Sequence, residues 1–412
     1  MTDEFPVRRN TVLLACTMAV NSATLQLVAA VSALTFVLVT GESHLLGLGP
    51  ALFLLSAALT SLPAGRLMDR LGRVPVLAGG FVLGSVGAAL TALGAWKSST
   101  WAVIPGFALI GAAGATGQLA RAAAGDMYPM ARRARGIAYV MFGAVFGAIL
   151  GPAVFSPIFK GRELEAAALA VPWLAGAGMM VVALAVVVNV RPDPKRIAEA
   201  IEGRASNRVL LAQEAAPLRE LLRRPGVAPA MLAGIVSFAV MVAIMNLTGY
   251  VVVEHRHHAQ HLVFPIIGAH VLGMYLLMPA VGWIVDRVGR PPILAGGLGL
   301  IAVSTAGIVW FEAVVPTALL LFGLGLGWNF SFVAATTALA DCAAPHERGK
   351  LLGFNDLLAG FAGAAFVLLG GYVLDEVGVN ALALGASLVA LVPIGFIFLL
   401  GRAPAAAVPE SG

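Results

Sequence analysis

Four side chains with soft, uncharged donor atoms recur at helical spacing within one apolar stretch: Met241 and Met245, then His270 and Met274. Residues four apart share a helix face, so each pair forms a stripe, extended by Thr248 in the first case and Met278 in the second. Thioethers with one imidazole are a ligand set suited to Cu(I) rather than to magnesium, calcium or manganese. Met245 and His270 each lie eight residues from the outer ends of their predicted spans, and Met241 and Met274 each lie twelve. An antiparallel hairpin then places the pairs at matched depths of about 12 Å and about 18 Å. The turn between them reads "EHRHHAQH", offering Glu254, His255, His257, His258 and His261 as outer capture groups. Methionine is equally a flexible apolar filler. The matched depth, more than the number of methionines, favours a metal.

Ionisable residues inside apolar spans are functional suspects because burying charge in lipid is costly. Two stand out: Asp356 in "LLGFNDLLAG", about 9 Å into its span, and Arg121 in "GQLARAAAGD". They are the candidates for proton coupling; a plain ion pair near the membrane surface is the simpler reading. Asn21, Ser22, Thr24 and Gln26 could line a cavity, although uncharged polar residues also pin helices together. A sugar or organic-anion carrier would bring more cavity charge and aromatics, so a soft or largely apolar cargo is expected.

The elements that must position these residues are membrane spans. Of 412 residues, 59% are hydrophobic and 11% charged, against about 25% charged in soluble domains. Twelve apolar stretches are long enough to cross a hydrocarbon core of about 30 Å. They fall near 11–39, 45–66, 74–96, 101–121, 136–159 and 167–190, then 228–253, 262–284, 292–311, 316–340, 350–374 and 379–401. The first is read as a retained helix rather than a cleaved leader. The expected plan is an N-terminal tail (1–10), a six-helix bundle (11–190), a central linker (191–227), a second six-helix bundle (228–401) and a tail (402–412). The linker predicts a short amphipathic helix. Alternate loops divide 22 Lys and Arg against 4, which predicts cytoplasmic termini and linker and an outward histidine turn. Cys16 and Cys342 form neither a disulfide framework nor a CxxC site.

The two halves repeat. "GRLMDRLGR" (65–73) is matched by "GWIVDRVGR" (282–290), and "GDMYPMARRARG" by "ADCAAPHERG". Paired signals at equivalent places indicate internal duplication. "GRLMDRLGRVPVL" resembles the signature loop of the major facilitator superfamily, with the likeness extending over the whole chain in span count, linker and repeat. It implies an all-α membrane protein, twelve transmembrane helices in two pseudo-symmetric six-helix bundles, moving a solute by alternating access. It also implies that Asp69 and Arg73 form a gating latch with Asp286 and Arg290 when the cytoplasmic side is shut. "GAVFGAILGPAVFSP" partly resembles an antiporter element but lacks its following glycine pair, and helix packing explains it better.

Within that superfamily, M-x-x-x-M followed by H-x-x-x-M resembles the CcoA-type bacterial copper importers. That likeness implies copper-ligand roles for Met241, Met245, His270 and Met274, Cu(I) as the transported ion rather than a cofactor, and a copper chaperone or oxidase-assembly factor as partner. Related members of the branch resemble riboflavin transporters, so an organic cargo such as riboflavin or a hydrophobic drug is the alternative. A non-transporting sensor is disfavoured because both copies of the loop keep Asp and Arg. The expected setting is the bacterial inner membrane, with the lipid bilayer and a small cargo as partners, no nucleic acid and no enzymatic reaction.

Overall fold

The computed structural model describes residues 5–129, 132–161, 164–205, 216–344 and 347–400. The expected tail 402–412 lies outside them. The regular elements among the described residues are all helices, because a backbone in lipid must satisfy its own hydrogen bonds. The first half contains α1 (Val7–Thr40), α2 (Leu48–Leu71), α3 (Arg73–Lys97), α4 (Thr100–Gln118), short α5 (Ala120–Asp126), α6 (Arg133–Phe159) and α7 (Ala170–Val187). The linker supplies α8 (Pro194–Ala205) and one turn, α9 (Leu218–Leu221). The second half contains α10 (Val227–Tyr250), α11 (Val263–Tyr275), α12 (Met278–Val288), α13 (Arg290–Gly307), α14 (Val314–Asp341), α15 (Arg348–Glu376) and α16 (Val379–Leu400).

Among the described residues ten helices are long and apolar enough to span a membrane, and α11 with α12, taken as one bent span, make an eleventh. The expected twelfth is α13, which packs as α3 does in the first half; it is only 18 residues long and begins with Arg290, Pro291 and Pro292. Packing repeats as well: α1 on α6 is matched by α10 on α15, and α3 on α4 and α7 by α13 on α14 and α16. The halves meet through α1 with α10, α2 with α15, and α6 with α11.

The stretch expected as one span over 262–284 is broken. α11 and α12 are bent by 46° at Leu276–Leu277, just ahead of Pro279, which sits in the first turn of α12. Proline disfavours helix in the residue before it. In the first half Pro63 lies inside an unbroken α2. The difference is one residue: Pro63 precedes Asp69 by six positions, and Pro279 precedes Asp286 by seven.

The linker does hold an amphipathic helix. Ile197 and Ile201 of α8 pack into the apolar cluster of the first half, and Asp193 accepts hydrogen bonds from the amides of Arg73 (3.1 Å) and Val74 (2.8 Å). A carboxylate there satisfies open donors at the start of α3. At the other end of the linker, Glu347 accepts from Arg224 at 2.6 and 3.0 Å and from the amide of Ala344 at 2.9 Å. Arg224 foremost, with the backbone amides, lowers the Glu347 carboxyl to about 2. Each end of the linker is thus tied to a different half. The face carrying the linker is called the linker face below, and the opposite one the far face.

Candidate functional site

The halves close against each other on the far face. Gly249 of α10 lies so near α1 that a Cβ there would meet the carbonyl of Ala30. The same carbonyl accepts Gln260 Nε2 at 3.2 Å. Ser156 Oγ donates to the carbonyl of His261 at 2.7 Å. Phe264 packs at 5.6 Å from Phe155 and 5.4 Å from Phe159, ring centre to ring centre. Below this seal a cavity of ≈ 1510 Å³, part of it open to solvent, runs between the halves.

Its middle wall is apolar and polarisable. Met241, Met245 and Met274 line it together with Trp328 and Phe332. Those two rings stack at 4.8 Å, and Tyr275 meets Trp328 edge-on at 6.2 Å. Met241 and Trp328 lie 14 and 13 residues from the linker-face ends of α10 and α14, a common level of about 20 Å. Higher up, Gln26 and Asn246 reach the wall. Gln26 Nε2 donates to the carbonyl of Gly147 at 2.7 Å and leaves its buried Oε1 without a partner.

Towards the linker face the lining turns polar, with Gln118, Arg121, Thr336, Asn355 and Asp356. Arg121 Nη2 lies 3.9 Å from Asp356 Oδ2, and the two side chains are 34% and 53% exposed. At that exposure the pair is weak, and the cavity is open at this end. Among the described residues it is the ion pair that joins the halves directly, and Asp356 is the one carboxylate on the cavity wall.

The four expected copper ligands separate. Three methionines share the cavity, while His270 is fully buried with Nδ1 donating to the carbonyl of Leu321 at 2.9 Å. It is not part of the cavity wall. The expected hairpin took α10 and α11 as side-by-side neighbours; instead α14 packs extensively against both. Gly273 and Gly325 let the α11 and α14 backbones approach closely, so the imidazole meets α14 first. Its Nε2 is buried without a partner.

The four turn histidines sit at the far face, outside the cavity wall. His255 stands edge-on to Tyr250 at 5.8 Å, His258 Nε2 donates to the carbonyl of Glu312 at 3.0 Å, His261 contributes the carbonyl to Ser156, and His257 is exposed at φ +54°. In the repeated loops Arg73 pairs with Asp69 (3.0 Å) and Asp126 (2.7 Å), and Arg290 with Asp286 (3.8 Å) and Asp341 (3.0 Å). Both arginines are held within their own halves in this arrangement, whose linker face is open. Gly72 and Gly289 turn both loops at φ +102° and +96°, a conformation costly for other residues. The glycines of "GAVFGAILG" seat α6 on α1, with Gly147 against Ala19 and Ser22 and Gly151 against Gln26.

Trp328, Phe332 and Tyr275 were not singled out by spacing. Trp328 and Phe332 do lie four apart on one helix face, a signal that could have found them, but the position of α14 between α10 and α11 is what brings that face to the cavity.

The model of the Major Facilitator Superfamily matches residues 13–331 and 261–412. The riboflavin transporter RfnT of Brucella anthropi is 32% identical over 87% of this chain and 87% of its own length. The uncharacterized MFS-type transporter YdeG of Bacillus subtilis is 31% identical over 86% and 83%. Among solved structures, the xylose transporter XylE from E. coli superposes with a TM-score of 0.72 at 13% identity, covering 98% of this chain and 99% of that one; at that identity the likeness is one of fold.

Proposed function

We propose, from the premise that the chain belongs to the Major Facilitator Superfamily, that it is a secondary active transporter of the bacterial inner membrane. Its proposed cargo is a planar heteroaromatic organic solute of the flavin class. The observation carrying this is the cavity wall. Stacked Trp328 and Phe332 share that wall with three methionine thioethers, with the Gln26 side chain above them. Aromatic faces and polarisable sulfur suit a flat ring. Similarity to a riboflavin transporter supports the same class. The excess of Lys and Arg on the linker face supports placing it in the cytoplasm, so that this arrangement opens inward.

Cu(I) import is the second reading, favoured by the three thioethers on one cavity wall. It would have to use those sulfurs without the imidazole, or a different rotamer of His270. Only that reading calls for a copper chaperone or oxidase-assembly partner.

Uptake of radiolabelled riboflavin and accumulation of copper, measured in cells expressing equal amounts of parent, Trp328→Ala and Met241→Ala/Met245→Ala/Met274→Ala protein, separate the two. Riboflavin uptake by the parent, lost in Trp328→Ala, is expected. No flavin uptake, together with copper accumulation lost in the triple variant, would replace the first reading by the second.

A further inference from the structure

The cavity has two chemically distinct levels. The ring-binding level lies about 20 Å from the linker face. Below it, Asp356 sits eight residues into α15 and Thr336 five residues from the end of α14, which puts this polar level at about 8–12 Å. The separation of roughly 10 Å is the reach of a short chain hanging from a ring. We propose that the lower level is a second subsite, taking a neutral polyhydroxylated tail on the cargo and rejecting the phosphorylated form of that tail. The proposal rests on the reading of the cargo as a flavin-like solute.

The chemistry follows from which groups stand there. A hydroxyl needs one acceptor for its proton and one donor for its oxygen. Asp356 and Arg121 supply these 3.9 Å apart, too far for a tight ion pair and close enough for one hydroxyl to bridge them. Asn355 has a buried Oδ1 without a partner, an acceptor for a second hydroxyl, and Thr336 and Gln118 complete the wall. The pair as a whole is neutral. A phosphate ester would draw Arg121 but leave the Asp356 carboxylate facing a like charge without compensation, which is unfavourable in a partly desolvated site. Asp356 is therefore the specificity-determining residue for tail charge. Because Arg121 belongs to the first half and Asp356 to the second, a tail bound between them also touches both moving bodies.

The test uses full-length protein in detergent or nanodiscs and the quenching of flavin fluorescence. The probes are riboflavin, lumiflavin (the ring without the tail) and flavin mononucleotide (the tail phosphorylated). The parent is expected to bind riboflavin about tenfold or more tighter than lumiflavin, the worth of one hydrogen bond to a charged group, and to bind the phosphate ester weakly. In Asp356→Asn the riboflavin-to-lumiflavin ratio should fall towards one and the phosphate ester should gain relative to riboflavin. In Arg121→Gln the ratio should fall and the ester should weaken further. Size-exclusion and melting profiles confirm that each variant is folded; if Asp356→Asn is not, Asn355→Ala and Thr336→Val supply the same ratio. A parent that binds riboflavin and lumiflavin equally, or an ester discrimination unmoved by Asp356→Asn, overturns the subsite while leaving the flavin reading intact. Binding of none of the three overturns both.

Discussion

The far-face seal depends on a missing side chain, and restoring one is a direct test of how the halves close. A Cβ on Gly249 would lie 2.9 Å from the Ala30 carbonyl carbon and 3.2 Å from its Cα, with the carbonyl oxygen nearer still. These are backbone atoms of a helix whose Ala30 is only 2% exposed, so no rotamer change relieves the overlap. The two helices must part, and parting them also removes the Gln260 Nε2 to Ala30 bond. Overpacking of this kind costs about 1–3 kcal/mol. The cost falls only on the state with the far face shut, because α1 and α10 separate when it opens. Gly249→Val should therefore shift the balance towards far-face opening by about 5- to 150-fold. The assay is labelling by a membrane-impermeant maleimide of a cysteine placed at Val28 on the cavity wall, with Cys16 and Cys342 replaced by serine. The labelling rate from the far face should rise by that factor, while cargo release to the linker face slows. Equal labelling rates with and without Gly249→Val, in protein that still binds cargo, would refute the claim that this contact closes the far face.

Glu347, held low at about 2, ties residues 216–225 to the second half in its ionised form. A depressed carboxyl contributes stability that is complete above its ordinary value of about 4.3 and is lost as pH falls towards 2. Amide exchange in 217–226 should accelerate over that window, and in Arg224→Gln it should be fast already at pH 7. Arg73 is 16% exposed and pairs with Asp126 at 2.7 Å, whereas Arg290 is 32% exposed with its nearest carboxylate at 3.0 Å; Arg73→Ala should therefore lower the melting temperature more than Arg290→Ala. If Asp356 also carries the coupling proton, Asp356→Asn should abolish the pH dependence of uptake while leaving cargo exchange without a gradient; an unchanged pH profile removes that role.

Much of the architecture was legible because lipid imposes strong and simple rules. Span length, the need for internally satisfied backbone and the repeated Gly-turn loops each leave marks that a single sequence displays. The linker helix was equally readable, since Ile197 and Ile201 recur at one helical turn. Its anchors were less so: Asp193 and Glu347 act on partners more than a hundred residues away, at Val74 and Arg224. Met241 and Met274 both reach the wall of one cavity. Depth along a helix axis is a local property. Direction around that axis depends on the neighbour, and the neighbour of α11 is α14.

His270 makes the distinction concrete. It shares the helical face of Met274 in sequence, yet four residues advance a helix by somewhat more than one turn, and that offset turns the imidazole from the cavity edge to the carbonyl of Leu321. No spacing rule separates those outcomes; the small residues Gly273 and Gly325, which bring α14 close, do. The break after Tyr275 had a mark that could have been read. One extra residue between Pro279 and the repeated Asp286, relative to Pro63 and Asp69, cannot be absorbed by a helix that keeps both its proline and its loop in register. The first half preserves a continuous α2 and the second yields a bend, beside the very wall that holds Met274 and Tyr275. The repeat is thus symmetric in its packing and unsymmetric at the cavity.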